Sequence, residues 1–195
     1  MLSIKKTQLK QAILNKKMFL DLDTMGLQGE LRTQEPMSRH TSWKTGGNAD
    51  YYYIASDIND LAKFISKLPA STPITWIGLG SNLLVRDGGV SGVVVSVVGL
   101  LNELKKINET EIFIGAGVSC AKAAHFSAKH GLEGIEFLAG IPGTIGGALA
   151  MNAGAYGGEI WSYIKEVETL NRKGKREIFE KDKFDINYRS VSISE

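Results

Sequence analysis

The sequence predicts an α+β fold, and three observations carry that prediction. The first half reads as strand, helix, strand, strand, a βαβ-like order. The second half ends in alternating segments around tight turns, which pair as antiparallel hairpins. Between them, "IPGTIGGALAMNAGAYGGE" (141–159) packs six glycines among apolar residues with almost no charge. The chain of 195 residues, 43% apolar, is long enough for one large domain or two small ones sharing a core.

In chain order, "MLSIKKTQLKQAILNKKMFLDL" sets Ile4, Leu9, Ile13, Leu14 and Phe19 among lysines. This predicts a helix packed on the body, with an amphipathic surface or targeting helix as the alternative. A polar connector follows, then a strand at "DYYYIA" (50–55), whose aromatic and β-branched residues suit a pleated surface. Leu61, Phe64, Ile65 and Leu68 recur at i, i+3, i+4 and i+7, the single apolar face of a helix with Ser56 as its N-cap. "TPITWIG" (72–78) and "SGVVVSVVG" (91–99) read as buried strands. "EIFIGAG" (111–117) reads as a strand running into a helix capped by Ser119 and closed by Gly131, with Cys120, Ala123, Ala124, Phe126 and Ser127 inward. "IKEVETLNRKGKREIFE" (164–180) predicts two strands around a solvated turn at Arg172 to Lys175, and "FDINYRS" (184–190) alternates as a strand. No internal repeat or low-complexity segment interrupts this order.

Charge and cysteine content narrow the function. The 23 basic and 21 acidic side chains leave a net charge of +2, without the basic footprint of a nucleic-acid binder. No apolar run has the length of a membrane span or signal peptide. Neither nucleic acid nor a membrane is therefore an expected partner. Cys120 stands alone, so no internal disulfide forms, and the cytoplasm is the expected compartment. His40, His125 and His130 form no ligand motif with Cys120, so no metal is expected. On an apolar helix face, Cys120 reads as a buried, inert thiol.

Glycine is costly to order, so a dense cluster implies positive φ or close approach of a partner. Of the 22 glycines, 17 lie between Gly78 and Gly158. A string of tight turns would carry Asn, Asp and Ser rather than Ile141, Ile145, Ala148 and Leu149. The tract therefore predicts a surface against which something large and flat lies. "GLGSNL" (78–83) and "GAGVSC" (115–120) each lack the third glycine of a dinucleotide fingerprint, and neither is a P-loop. What remains at 78–83 is a turn of backbone N–H groups with Ser81 and Asn82, able to grip a pyrophosphate or simply to turn the chain. Arg189, in "YRS", is placed to hold a carboxylate bidentately or to sit in solvent.

Together, "HTSWKTGGNADYYY" (40–53), "GLGSNLLVRDGGVSGVVV" (78–95), "GLEGIEFLAGIPGTIGGALAMNAGAYGGE" (131–159) and "INYRS" (186–190) resemble the UDP-N-acetylenolpyruvoylglucosamine reductases, in order and at consistent spacing. The resemblance implies a two-subdomain FAD-binding fold of the vanillyl-alcohol-oxidase/PCMH type. It implies an N-terminal helical extension at 1–35, a smaller subdomain at 36–98 and a larger one at 99–195. FAD, bound non-covalently, would lie on Thr45, Gly46 and Gly47; on Gly78, Gly80, Ser81 and Asn82; and on Gly140, Ile141, Pro142, Gly143, Thr144, Gly146 and Gly147. Asn152, Gly154, Tyr156 and Tyr188 fall on the substrate side, with Arg189 as the catalytic arginine.

The family reaction is reduction of UDP-N-acetylglucosamine enolpyruvate by NADPH through FAD, yielding a peptidoglycan precursor. Hydride attack builds negative charge beside the substrate carboxylate, where a fixed cation such as Arg189 is stabilising. The family's proton-donating serine and its glutamate lie in a third domain, beyond Glu195, so the sequence reads as the FAD-binding portion. Two alternatives remain open: an FAD-binding module served by a separate substrate domain, and another flavin oxidoreductase of the same fold. The sequence sets no oligomeric state.

Overall fold

A computed structural model of the chain describes residues 26–193. The predicted N-terminal helix lies outside the described residues. The first half builds a sheet from β1 (Glu30–Pro36), β2 (Asn48–Ile54), β3 (Ile74–Ile77) and β4 (Val90–Ser96), in the order β1-β2-β4-β3. Strands β2, β4 and β3 are parallel, and β1 is antiparallel to β2. A parallel neighbour needs a long crossover, and helix α1 (Ile58–Lys67) supplies it between β2 and β3.

Alternation along β4 explains why both faces of this sheet are covered. Val93 and Val95 point one way, onto Leu61, Phe64, Ile65 and Leu68 of α1 and its end. Val94 points the other way, onto Met37, Tyr52, Ile77 and Val85. All three valines are fully buried. The face away from α1 is thus closed by the segments that carry the glycine loops.

Two expectations for this half need correction. The residues assigned to a polar connector include β1, so Glu30 to Glu35 belong to the sheet and not to an extension over 1–35. As an edge strand, β1 buries only Glu35, and "ELRTQEP" therefore shows no apolar alternation. The N-cap of α1 is Asp57, whose Oδ1 accepts from the N–H groups of Asn59 and Asp60, both at 2.8 Å. A carboxylate suits a helix N-terminus better than a hydroxyl. The N–H of Ser56 instead donates to Asp60 Oδ2 at 3.1 Å.

The second half gathers around Val118, Cys120, Ala123, Ala124, Leu138, Ile145, Ala148, Ile160 and Trp161. The strand expected over 111–117 is only β6 (Ile112–Ile114), paired with β5 (Leu104–Lys106). It ends early because the N–H groups of Gly115 and Gly117 turn onto the carbonyls of Glu103 and Leu101, at 2.8 and 3.0 Å. Helix α2 (Cys120–Lys129) is capped by Ser119 Oγ as expected. Its Phe126, expected inward, is only half-buried, and the ring lies 4.2 Å from that of His130.

Inside the glycine tract the chain forms a short helix α3 (Ile145–Ala150) and a tiny hairpin, β7 (Gly154–Ala155) with β8 (Gly158–Glu159). The predicted hairpin is β9 (Glu166–Leu170) with β10 (Arg176–Glu180). Arg172, Lys173 and Lys175 of its turn are exposed, as expected of a solvated loop, but the turn is also anchored. Arg172 Nη2 donates to the Thr72 carbonyl at 2.9 Å, and Gly174 lies against the Ala62 carbonyl of α1, so the turn fastens the two halves together. The strand expected over 184–190 breaks into a hairpin of β11 (Phe184–Asn187) and β12 (Ser190–Ile193), with Tyr188 and Arg189 as the two-residue turn. Arg189 takes φ +55°, which ends a strand.

Candidate functional site

Three glycine-bearing segments, far apart in sequence, meet at one edge. Gly46 and Gly47 lie against the stretch from Val85 to Gly89, and the Gly47 N–H donates to the Arg86 carbonyl at 3.0 Å. Gly80, at φ +65°, is pressed against the His40 carbonyl, and its own carbonyl accepts from Ser42 N–H at 3.1 Å. Gly78 packs on the Thr144 side chain, and Ser81 Oγ donates to the Pro142 carbonyl at 2.6 Å. The loop of the first half and the tract of the second are therefore physically joined.

The glycines divide into two kinds. A Cβ at Gly46 would come within 2.6 Å of Val85 Cβ, and one at Gly146 within 3.0 Å of Ala116 Cβ. Gly47, Gly78 and Gly80 are equally confined by the protein itself. These five satisfy the chain's own packing. Gly140, Gly143 and Gly147 are different: the nearest atoms to an added Cβ are Tyr156 Cε2 at 3.8 Å, Ser81 Oγ at 3.4 Å and Thr144 Oγ1 at 3.6 Å, respectively. Nothing in the described chain requires these positions to be small for space, so the backbone there is open to approach.

Backbone bonding gives the same polarity. The N–H groups of Ile145 and Gly146 donate to Val118 and Ala116 carbonyls at 2.8 and 2.9 Å, and that of Gly147 to Thr144 Oγ1 at 3.4 Å. Helix α3 therefore spends its first N–H groups on the protein. In the turn at 78–82, by contrast, no described acceptor takes the N–H groups of Gly80, Ser81 or Asn82. A turn with a positive φ and free N–H groups has the geometry of an anion cradle.

At the other end, Asn152 is 9% exposed at φ +40°. Its Nδ2 donates to Glu159 Oε2 at 3.0 Å, while Oδ1 has no partner. A carboxylate only accepts, so the amide cannot be turned around. An orphaned acceptor of this kind calls for a donor from outside the chain. Tyr156, 94% exposed at φ +52°, sits over Gly140. Gly154 is confined by the Gly158 carbonyl. Lys44, Asn152, Tyr156 and Arg189 are all non-glycine residues in left-handed backbone, a form of strain that concentrates at functional sites.

The remaining expected residues are placed as follows. Thr45 and Asn82 are exposed, Thr144 is buried as the N-cap of α3, and Ile141 donates its N–H to the Leu138 carbonyl at 3.1 Å. Tyr188 and Arg189 stand out on their turn, with the Arg189 guanidinium carbon 5.5 Å from the Tyr188 ring centroid. No hydrogen bond or ion pair among the described residues ties either of them to the glycine loops. Burial pushes the Cys120 thiol up to about 11. Among the described residues no cluster of His, Cys, Asp or Glu is arranged to hold a metal, and no helix is long and apolar enough to cross a membrane.

An open glycine face, free N–H groups at one end and an orphaned acceptor at the other suit a long ligand with both an anionic and a flat part. FAD has that form. The chain matches the FAD binding domain family over residues 49–179 and belongs to it. Its fold is the α+β, two-subdomain FAD-binding fold of the vanillyl-alcohol-oxidase/PCMH type, and FAD is its cofactor.

More narrowly, the chain is similar to the UDP-N-acetylenolpyruvoylglucosamine reductase of Nitrosomonas eutropha, 49% identical over 180 residues that cover 90% of this chain and 54% of the relative. The chain thus spans about half the length of the curated relatives it matches. Among solved structures it is similar to the UDP-N-acetylenolpyruvylglucosamine reductase (MurB) from Thermus caldophilus, at 28% identity and TM-score 0.66, covering 84% of this chain and 56% of that one. The 6-hydroxy-D-nicotine oxidase from Arthrobacter nicotinovorans, at 17% identity and TM-score 0.61, covers 81% of this chain and 37% of its own, and shares the fold.

Proposed function

We propose that this chain is the FAD-binding part of a cytoplasmic reductase that converts UDP-N-acetylglucosamine enolpyruvate to UDP-N-acetylmuramate with NADPH. The observation that carries the reading is the open face of Gly140, Gly143 and Gly147, joined through Ser81 to the free N–H groups of the turn at 78–82. The 49% identity to a relative of that name supports the substrate.

When bound, FAD would supply the hydride-transfer chemistry between NADPH and the carbon–carbon double bond of the substrate. The residues of this chain hold and orient it. Gly80, Ser81 and Asn82 neutralise the diphosphate through backbone N–H groups. The bare backbone at Gly140, Gly143 and Gly147 admits the ring and ribityl chain, and Gly46 and Gly47 keep the loop from Thr45 close to the stretch beyond Val85. Ile141, Pro142, Thr144 and Gly146 fix the shape of the tract from its protein side. Asn152, Gly154, Tyr156 and Tyr188 face the substrate, and the Arg189 guanidinium offsets the charge that develops beside its carboxylate.

The test is anaerobic stopped-flow on purified, FAD-loaded protein. NADPH is expected to bleach the flavin absorbance, with the enolpyruvyl sugar as the matching oxidant in the presence of the residues that complete the substrate site. A protein that retains no flavin, or a flavin that NADPH leaves oxidised, defeats the reading.

A further inference from the structure

His40 and Glu35 belong to none of the surfaces described above, yet they are tied to one of them. Glu35, on β1, is 7% exposed. Its Oε1 lies 2.8 Å from His40 Nε2 and 3.4 Å from Arg32 Nη1. Arg32 is itself held by Glu30, at 2.8 and 2.9 Å. The His40 ring stacks on Tyr52 of β2, with centroids 4.2 Å apart at 24°. Hydrogen bonding from His40 holds the Glu35 carboxyl below the usual carboxylate range against the opposing effect of burial. Glu35 is therefore an acceptor only, and His40 Nε2 carries the proton between them.

The backbone of the same histidine is the wall against which Gly80 turns. A Cβ on Gly80 would strike the His40 carbonyl and come within 2.9 Å of Thr41 Cα. Two residues on, Ser42 N–H donates to the Gly80 carbonyl. A continuous set of contacts therefore runs from the Glu35 carboxylate through the His40 ring and backbone to Gly80, then through Ser81 to Pro142.

We infer that His40, held by Glu35, is a positioning residue of the turn that receives the cofactor diphosphate, acting through Gly80. With the His40–Glu35 bond in place, the free N–H groups of Gly80 to Asn82 are fixed before FAD arrives, so binding costs less ordering. This inference rests on the reading of the turn as a diphosphate site.

The experiment compares His40→Phe, which keeps a ring over Tyr52 but cannot donate to Glu35, with His40→Gln, which keeps a donor. FAD affinity is measured by flavin fluorescence, stability by thermal melting, and the diphosphate by ³¹P resonances at saturating FAD. His40→Phe is expected to raise the FAD Kd about tenfold, the scale of a lost hydrogen bond to a charged group. It should also shift the ³¹P resonances while the visible flavin spectrum is unchanged. His40→Gln should stay within about threefold of wild type, as expected for a restored bond. An unchanged Kd or unmoved ³¹P resonances in His40→Phe overturn the inference, as does equal weakening by both variants or loss of the fold in His40→Gln. A wild-type chain that takes up no FAD fails at the earlier step, bringing down the diphosphate reading and this inference together.

Discussion

Gly147→Ala should move stability and cofactor affinity in opposite directions. Gly147 lies within α3, is exposed, and has ordinary negative φ. An added Cβ meets only Thr144 Oγ1, at 3.6 Å, which is normal contact. Replacing glycine by alanine inside a helix is worth up to about 1 kcal/mol, or roughly 2–4 °C in melting temperature for a domain of this size. The flavin-free variant should therefore melt slightly higher than wild type. The same methyl stands on the face proposed to receive FAD, and overfilling a packed contact costs about 1–3 kcal/mol. FAD affinity should fall roughly 5- to 150-fold, and Gly147→Val should abolish binding with the fold intact. The control is Gly146→Ala, whose Cβ is forced to 3.0 Å from Ala116 Cβ and 3.1 Å from its carbonyl oxygen; it should melt lower even without FAD. Apoprotein melting and titration with FAD by fluorescence quenching read both quantities. Wild-type affinity in Gly147→Ala would refute the placement of the cofactor, and a lowered melting point in that variant would refute the open face.

Other expectations are as direct. FAD should be released by acid precipitation, and the fully buried Cys120, with its thiol pushed up to about 11, should resist a thiol reagent until the chain unfolds; colour that stays with the precipitate would show a covalent link. Asp60, buried at 6% exposure, is raised by desolvation but lowered further by Tyr53 Oη–H at 2.6 Å and by backbone N–H groups, so its net shift is downward. A depressed carboxyl contributes stability that is complete above about pH 4 and lost as pH falls through the folded value; Asp60→Asn should melt lower at pH 7 and show less loss on acidification. Arg172→Ala should cost about 1 kcal/mol through the lost bond to the Thr72 carbonyl, seen as a lower melting point with little change in FAD affinity. Arg189→Ala should leave bleaching by NADPH nearly unchanged and slow the enolpyruvyl step in the complete enzyme by about 10²- to 10³-fold, the range for removing one charge-stabilising donor; equal slowing of both half-reactions would show that the arginine acts on the flavin itself.

The sequence made α1, β2, β4 and α2 legible because each buries a regular stripe. Leu61, Phe64, Ile65 and Leu68 lie on one helical face, and Val93 to Val95 fill both faces of a covered strand. Strand β1 was hidden for the opposite reason. At the edge of the sheet, with a glutamate as its one buried residue and Leu31 its one apolar side chain packed on the core, it shows no alternation. The turn at Tyr188 and Arg189 was hidden because alternation across Phe184, Ile186 and Tyr188 looks the same in a strand that continues and in one that reverses. Only the positive φ of Arg189 distinguishes them, and arginine carries no sign of it.

The candidate site was legible as a stretch of open backbone and not as a set of roles. Glycine density pointed to the candidate face, but density cannot tell a glycine that admits a ligand from one that admits another part of the chain. Gly46, Gly47, Gly78, Gly80 and Gly146 are explained by Val85, Asp87, Thr144, His40 and Ala116, and their loss would break the scaffold before it affected binding. Gly140 and Gly147 have no internal reason to be small, whereas Gly143, also open in space, has a backbone reason in its φ of +154°. A substitution scan read by activity alone would therefore score all eight alike. Scored by apoprotein stability and FAD affinity together, the two kinds should separate: the confined glycines lose both, while Gly140 and Gly147 lose affinity alone. That separation follows from the contacts an added Cβ makes, and a Gly140→Ala variant that melts lower without FAD would show the face to be closed by the protein rather than by its cofactor.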